Sequence, residues 1–514
     1  MQDKNESAKS PILNNPYEEP RLHYGSVDGN LDYNTILKGR RPFSMEIGIT
    51  PNSNPQQSMF NDEDFYDDDI NASFINTIRD EVKKWREQGY PQVTRVTREL
   101  LNFWFCNPER QDNLKLFFCQ REAIETAVYL NEVAERDPNM GRHILHLLEE
   151  RQGSVSNDYN YVLPRTAFKM ATGTGKTVVM AMLILYNYIN KKEYHQDTRF
   201  ADHFLLVAPG ITIRDRLGVL RIDESRKNDY DKSDYYHQRN LIPRNYERLL
   251  EGINSCITIT NYHQFEPKVY SGKKASPMDG KLVWNSEQQQ MVKQKDVEEF
   301  SVVLSRVLGK QMKGKRLIVI NDEAHHCYMP KDSDEKGLSA EEKSEIKDDN
   351  QKAMVWYEGL RQIKALGYKV QHVYDLSATP YYLKGSGYRE YSLFPWVVSD
   401  FGLVDAIESG LVKIPFLPSY DNTHDLDEPK LRNIYKHISR DLPKKGQKKQ
   451  KKEDREAGRT GEPEDAPHLP ALLNSALEQF VKDYEEYNSQ IRESDEVGAN
   501  LFTTPPVMII VCIP

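Results

Sequence analysis

The sequence predicts an α/β fold in which a parallel sheet is flanked by helices. Short apolar runs recur along the chain, they alternate with helical or polar stretches, and the first of them leads through a glycine-rich loop into an apolar helix. Such runs are typical of strands buried on both faces, as in a parallel sheet covered by helices. The runs are residues 165–170, 204–208, 256–260, 317–321 and 370–376.

The region before the first strand divides into two segments. Residues 1–75 are rich in Asn, Asp, Pro and Ser, which predicts a mostly irregular N-terminal extension. Residues 76–160 have apolar side chains at helical spacing, so they are predicted to form a helical lead-in. The α/β domain itself is expected over 161–415.

Two polar stretches interrupt the strand pattern, and the pattern ends after residue 415. Residues 221–248 and 266–315 are predicted to be insertions or additional small helices. Residues 416–470 are predicted to be a charged, flexible linker. In 471–514 a helix over about 472–491 is followed by the strand-like run 505–512, which predicts the start of a second domain.

Composition excludes several classes of protein. A chain of 514 residues can hold about three or four domains. Its mean hydropathy is −0.72, and no apolar stretch approaches the roughly 20 residues of a membrane span, which excludes an integral membrane protein. Five cysteines without a CxxC pair argue against a disulfide framework or a zinc ribbon and favour a reducing, cytoplasmic location. The net charge of −9 neither supports nor excludes nucleic-acid binding.

The strongest functional motif is MATGTGKT, residues 170–177. A strand, a glycine-rich loop, Lys-Thr and a helix together predict a phosphate-binding loop, with Met170 in place of the usual first glycine. Lys176 would contact the β- and γ-phosphates of ATP, and Thr177 would ligate Mg²⁺. The alternative is a glycine-containing turn before a buried helix. The residues predicted to bind the nucleotide are Thr172, Gly173, Thr174, Gly175, Lys176 and Thr177.

A second motif, LIVINDEAH at residues 317–325, places two adjacent carboxylates at the end of an apolar strand. Asp322 suits the coordination shell of Mg²⁺, and Glu323 suits the base that orients water, so both are predicted to be catalytic together with Lys176. One alternative is a solvated acidic turn. Another is a metal cluster of His325, His326 and Cys327, although three consecutive side chains do not easily converge on one ion.

With Ser377-Ala378-Thr379-Pro380 after the fifth run, these motifs resemble superfamily-two DEAD/DEAH-box helicases. Three further segments, LLVAPGITIRDRL, ITITNYHQF and FGLVDAIESGLVKIP, are similar to the Res subunits of type III restriction endonucleases. The resemblance covers about residues 100–415. It implies a RecA-like P-loop domain, ATP and Mg²⁺ as cofactors, DNA bound through its backbone without sequence readout, and a modification (methyltransferase) subunit as partner.

The resemblance also implies roles for individual residues. Gln120 would read adenine, the alternative being an ordinary surface glutamine, and for Arg214 the alternative is an exposed helix arginine. The implied nucleic-acid contacts are Pro209, Gly210, Arg214, Thr260, Asn261 and Tyr262. The residues implied to link hydrolysis to strand movement are His325, Ser377 and Thr379.

We therefore expect an ATP-dependent DNA translocase or helicase motor from a restriction and defence system, truncated after its first RecA-like domain. Such motors place ATP between two RecA-like domains, and the second contributes arginines that stabilise the transition state. The alternative is a catalytically incomplete ATP- and DNA-binding fragment that acts as an interaction module. A P-loop ATPase acting on protein is a third hypothesis, against which the Ser-Ala-Thr and TNYHQF motifs argue.

Overall fold

The structure is a computed structural model. It describes residues 11–27, 30–44, 62–155, 162–225, 228, 231–270, 282–285, 290–293, 297–309, 312, 314–331, 340–413, 433–439 and 470–496. The chain folds as two compact units, residues 1–413 and 414–514.

The centre of the first unit is a six-stranded parallel sheet. Its strands are β3 (Arg165–Met170), β4 (His203–Ala208), β5 (Ile257–Asn261), β8 (Arg316–Asp322), β9 (Lys369–Ser377) and β10 (Val397–Phe401). Their order across the sheet is β10-β3-β9-β8-β4-β5. All carboxyl ends of these strands therefore lie along one edge, the edge at which open α/β sheets bind their ligands.

Helices cover both faces of this sheet. They include α5 (Lys176–Glu193), α6 (Ile211–Arg216), α7 (Tyr235–Gln238), α8 (Phe300–Leu308), α9 (Ala340–Ala365) and α10 (Leu403–Glu408). Alternate residues of β8 enter two different cores: Ile318 packs in the core that contains α5, and Val319 in the core that contains Trp356 of α9. This alternation is what a sheet buried on both faces requires.

All five predicted apolar runs form parallel strands, so the predicted α/β fold with helices on both faces is confirmed. The sixth strand, β10, was not predicted. Its sequence VVSDF is short, contains Ser399 and Asp400, and follows a stretch rich in Tyr, Gly and Pro that has the composition of a loop.

The extension that was predicted to be mostly irregular, residues 1–75, contains regular elements among its described residues. Strands β1 (Leu22–Val27) and β2 (Asn30–Lys38) form an antiparallel hairpin, and helix α1 (Asp62–Glu87) begins within the segment. Its polar composition hides the hairpin, because few of its side chains are buried. Tyr24, which is 2% exposed, belongs to the core, whereas Tyr33 and Leu37 are exposed.

The predicted helical lead-in contains α2 (Arg95–Leu101), α3 (Phe118–Val128) and α4 (Met140–Ser154) after α1. Short 3-10 and π-helical turns lie between them and elsewhere in this unit: Asn102–Cys106, Asp112–Leu114, Tyr129–Val133, Ala134–Arg136, Leu217–Leu220, Arg244–Leu250, Ile253–Cys256, Tyr262–Phe265 and Ala324–His326. Helix α3 packs against both α1 and α5, which places it beside the helix that follows the glycine-rich loop.

The predicted insertions contain small elements. A hairpin of β6 (Leu282–Asn285) and β7 (Gln290–Lys293) lies in the second of them, together with α8. In the second unit α11 (Ile434–Ile438) and α12 (Ala471–Glu496) are helical, and α12 contains the helix predicted over 472–491. The strand-like run 505–512 and most of the predicted linker lie outside the described residues. Among the helices that the structure describes, none is long and apolar enough to cross a bilayer.

Candidate functional site

The carboxyl edge of the sheet brings the predicted motifs together. The glycine-rich loop leaves β3, the two acidic residues end β8, and Ser377 ends β9, which lies between those two strands. In register, Lys169 of β3 pairs with Ser377, and Asp322 of β8 pairs with Leu376. Residues far apart in the sequence thus meet at a single site.

The glycine-rich loop has the conformation that its two glycines allow. Gly173 has φ 87° and Gly175 has φ 84°, in the left-handed region that other residues rarely adopt. The side chain of Thr174 is fully buried, and its hydroxyl donates to the backbone oxygen of Ala171 at 2.6 Å. Lys176 and Thr177 open α5, where free backbone N–H groups and the positive end of the helix dipole attract phosphate.

Gln120 is buried against this loop and is not a surface glutamine. It is 3% exposed, and its Nε2 donates to the backbone oxygen of Thr174 at 3.0 Å. Its Oε1 accepts from the backbone N–H of Phe117 at 3.0 Å. An amide has two N–H groups and two lone pairs, so these two hydrogen bonds use one of each.

Lys176 forms an ion pair with Glu323, Nζ to Oε1 at 3.0 Å. The two residues come from the loop after β3 and from the end of β8, two strands that β9 separates. Glu323 has φ 49° and ψ 49°, a left-handed conformation that is costly for a residue with a Cβ. Costs of this kind are typical of functional sites, where the surrounding structure maintains the conformation.

Asp322 lies beside this pair and is 8% exposed. Burial and the negative charge of Glu323 raise the pKa of Asp322 to about 6, and Lys176 partly opposes the shift. The Glu323 backbone N–H donates to Oδ1 of Asp322 at 3.1 Å. The donor set fits Mg²⁺, since the Asp322 carboxylate and the Thr177 hydroxyl offer the oxygen ligands that Mg²⁺ prefers, and a bound cation would favour the ionised form of Asp322.

His325 connects the group formed by Lys176, Asp322 and Glu323 to strand β9. Its Nδ1 lies 2.9 Å from Oγ of Ser377, and the same Oγ accepts from the backbone N–H of Thr379 at 3.1 Å. Burial, with the nearby charges of His326 and Lys176, lowers the pKa of His325 to about 3, so its imidazole is neutral at physiological pH. Ser377 therefore contacts both of the other residues implied to link hydrolysis to strand movement, His325 and Thr379.

The alternative metal cluster at His325, His326 and Cys327 receives no support from the geometry. Cys327 is buried, and burial raises the pKa of its thiol to about 12, which disfavours the thiolate that binds metals. Within the described residues, no three His, Cys, Asp or Glu side chains converge closely enough to hold an ion.

The predicted nucleic-acid residues lie at the carboxyl ends of β4 and β5, where Ala208 pairs with Asn261. Arg214 on α6 is partly exposed and pairs with Asp215 at 2.7 Å. The side chains of Thr260, Asn261 and Tyr262 are buried, and the Tyr262 ring stacks on Trp356 with centroids 5.7 Å apart. At this edge Pro209, Gly210 and Arg214 are thus more accessible than the second predicted group.

Sequence reasoning missed the contribution of β10 to the site. The backbone N–H of Ala171, the first residue of the loop, donates to the backbone oxygen of Phe401 at 3.0 Å. Next to this contact Lys169 pairs with Asp400, Nζ to Oδ1 at 2.6 Å. The available signal was the apolar pair Val397-Val398, followed after Gly402 by a short helical pattern.

Comparison with known proteins identifies one family. The family model described as type III restriction enzyme, res subunit, matches residues 113–381, more than half of the chain. The matched range is a helicase-like P-loop domain and includes Gln120, the glycine-rich loop, the acidic pair and the Ser-Ala-Thr motif. The searches among curated proteins and among solved structures found no match.

Proposed function

The chain belongs to the type III restriction enzyme res subunit family, and from this membership and the site geometry we propose that it is a superfamily-two DNA motor that hydrolyses ATP to move along or unwind DNA. The proposal includes DNA bound through its backbone, a modification methyltransferase as partner, and a cytoplasmic role in restriction. The observation on which it rests is the ion pair of Lys176 and Glu323 at 3.0 Å, beside a loop with two left-handed glycines.

Each part of the site has a role in phosphate chemistry. The first turn of α5 and the loop backbone would bind the phosphates, and Lys176 would add a positive charge at the β- and γ-phosphates. Thr177 and Asp322 would hold Mg²⁺, which when bound neutralises charge that develops on the transferred phosphoryl group.

Glu323 is the proposed base that orients the attacking water. Its carboxylate accepts from Lys176 at 3.0 Å, and a phosphate oxygen would compete for the same ammonium group. Phosphate binding would thus release Glu323 from the ion pair, so that the carboxylate becomes available to the water only when substrate is bound. The left-handed backbone at Glu323 fixes the point from which this side chain extends.

Movement on DNA would be coupled to hydrolysis through His325. This residue is two positions from the proposed base and contacts Ser377, whose hydroxyl also anchors Thr379. DNA would lie along the carboxyl end of β4, where the partly exposed Arg214 would contact a phosphate. Contacts of this kind bind DNA without reading its sequence.

The test is ATP hydrolysis by the purified chain with and without single- and double-stranded DNA. We expect DNA to stimulate turnover, and Lys176→Ala to abolish both turnover and nucleotide binding. Lys192→Ala is the control, because Lys192 lies in the last turn of the same helix. Turnover unchanged in Lys176→Ala would refute the proposal. Lys176-dependent binding of ATP without turnover in any DNA condition would favour the interaction module instead.

A further inference from the structure

Arg40 joins two elements that flank the glycine-rich loop. Its Nη1 and Nη2 donate to the two carboxylate oxygens of Glu122 on α3, the second at 2.7 Å. The same Nη2 donates to the backbone oxygen of Asp400 on β10 at 2.9 Å. One guanidinium therefore holds a helix and a strand together, and we call this contact the Arg40 bridge.

Both elements contact the loop directly. Helix α3 does so through Gln120, whose Nε2 donates to the backbone oxygen of Thr174. Strand β10 does so through Phe401, whose backbone oxygen accepts from the N–H of Ala171. Glu122 is two residues from Gln120, and Asp400 is next to Phe401. The Arg40 bridge is therefore connected to both ends of the loop: to Thr174 through Gln120, and to Ala171 through Phe401.

The bridge is buried and supported by further charges. The side chains of Arg40, Glu122 and Asp400 are 11%, 3% and 8% exposed. Arg79 of α1 donates to the backbone oxygen of Asp400 at 2.6 Å, and Lys169, just before the loop, pairs with its carboxylate. A buried ion pair is weak evidence for stability, since an apolar pair can stabilise as well, but its directional hydrogen bonds can fix one arrangement of the elements that it joins.

We infer that Arg40 is a positioning residue for nucleotide binding, acting through Glu122 on Gln120 and through Asp400 on the start of the loop. Arg40 lies outside the range that matches the family, in the segment between β2 and α1. The inference rests on the proposed function, because it takes the loop to bind ATP and Gln120 to contact adenine. It assigns adenine preference in part to a residue whose guanidinium donates to Glu122 and Asp400.

The test compares Arg40→Met with Arg86→Met. Arg86 is a matched control, because it is 13% exposed and donates to Glu125, one turn further along α3, at 2.6 Å. Its other ion-pair partner is Glu19, so this pair does not link α3 to β10. Dissociation constants are measured for ATP and CTP at a temperature at which thermal unfolding shows all proteins to be folded. We expect Arg40→Met to weaken ATP binding by about tenfold or more and to reduce the preference for ATP over CTP, as small displacements in a binding site can do. Arg86→Met should bind ATP with wild-type affinity and keep the wild-type preference for ATP over CTP.

A double variant separates positioning from stability. Arg40→Met/Glu122→Met removes both charges, so no unpaired carboxylate remains on α3 at this point. If Arg40 positions the loop, the double variant regains thermal stability but not ATP affinity or adenine preference. Wild-type affinity in either Arg40 variant, or an equal loss in Arg86→Met, would overturn the inference. If the wild-type protein itself binds no ATP, or if Lys176→Ala leaves ATP binding unchanged, the proposed function fails instead.

Discussion

Nδ1 of His325 lies 2.9 Å from Oγ of Ser377, a contact between the ends of β8 and β9. The two residues are 52 positions apart in the chain, and the sheet alone brings them together. If this contact transmits hydrolysis to movement, its removal should leave ATP chemistry largely intact while the movement is lost.

Ser377→Ala is expected to bind ATP and to retain DNA-stimulated hydrolysis, but to displace little or no DNA strand per ATP consumed. Strand displacement and hydrolysis measured on the same samples give this ratio, and Ser392→Ala, at a partly exposed serine, is the control. The same ratio is measured for His325→Ala and for the double variant Ser377→Ala/His325→Ala. In this double-mutant cycle, two residues in contact should show an interaction energy of about 0.5–3 kcal/mol. Fully additive effects would show that the contact has no role in coupling.

Glu323→Gln is expected to bind ATP at least as tightly as the wild type and to hydrolyse it about 10²–10⁴-fold more slowly, since the amide cannot act as a base. Equilibrium binding and steady-state turnover measure the two effects. Glu109→Gln, at an exposed glutamate, should change neither. Wild-type turnover in Glu323→Gln would assign the base to another residue.

Gly175→Ala is expected to abolish nucleotide binding. An added Cβ would lie 2.3 Å from Nε2 of Gln120, and the φ of +84° is itself unfavourable for alanine by about 1–2 kcal/mol. Gly218→Ala is the control, because a Cβ at that position meets no atom within 4 Å. ATP binding measured by calorimetry tests this, and normal affinity in Gly175→Ala would contradict the described contact between α3 and the loop.

Asp375→Ala is expected to lower the free energy of unfolding by about 3–5 kcal/mol, because it leaves a buried cation without its partner. Asp375 is 1% exposed and accepts from Nε of Arg165 at 2.7 Å, from Nε1 of Trp396 at 2.8 Å and from Nδ2 of Asn321 at 2.7 Å. Urea titration measures the free energy of unfolding of the variant and of the wild type. Asp348→Ala on the exposed side of α9 should change it by less than about 0.5 kcal/mol.

Acidification is expected to destabilise the protein in part through His372. Burial lowers the pKa of His372 to about 4, and its Nε2 lies 2.8 Å from Oγ1 of Thr166. The unfolded chain takes up this proton near pH 6.5, whereas the folded chain does so only near pH 4, so stability is lost as pH falls through this window. Denaturant titrations of the wild type and His372→Gln should diverge between pH 7 and pH 4, with the smaller loss in the variant. Parallel pH profiles would show that His372 is not responsible.

The sheet could be predicted from the sequence because its strands are buried on both faces. Residues of β8 such as Leu317 and Ile318 are apolar in succession, as are residues 204–208 of β4. The loop could be predicted because Gly173 and Gly175 satisfy a backbone requirement that few residues meet. In both cases the requirement, either burial on both faces of the sheet or a left-handed backbone, falls on a few consecutive residues and is therefore visible in the local sequence.

The buried ion pairs could not be predicted, because the two partners of each pair come from distant parts of the sequence. Arg79 and Asp400, which form one of these pairs, are 321 positions apart, and an arginine or aspartate in a polar stretch has the same local appearance whether it is exposed or buried. Tyr262 shows the reverse case: its motif suggested an exposed contact, and only the packing of α9 places its ring against Trp356.

The cations that α3 and α10 require come largely from residues before 113, where the similarity to the family begins. Glu122, Glu125 and Glu408 are buried, and their partners include Arg40, Arg86 and Arg41. A shortened protein that starts at residue 113 would keep every recognisable motif and lose these arginines, leaving several buried carboxylates uncompensated at a cost of several kcal/mol each. We therefore expect the smallest independently folding unit to be larger than the range that matches the family, and expression of a stable protein to require the hairpin and the first helix.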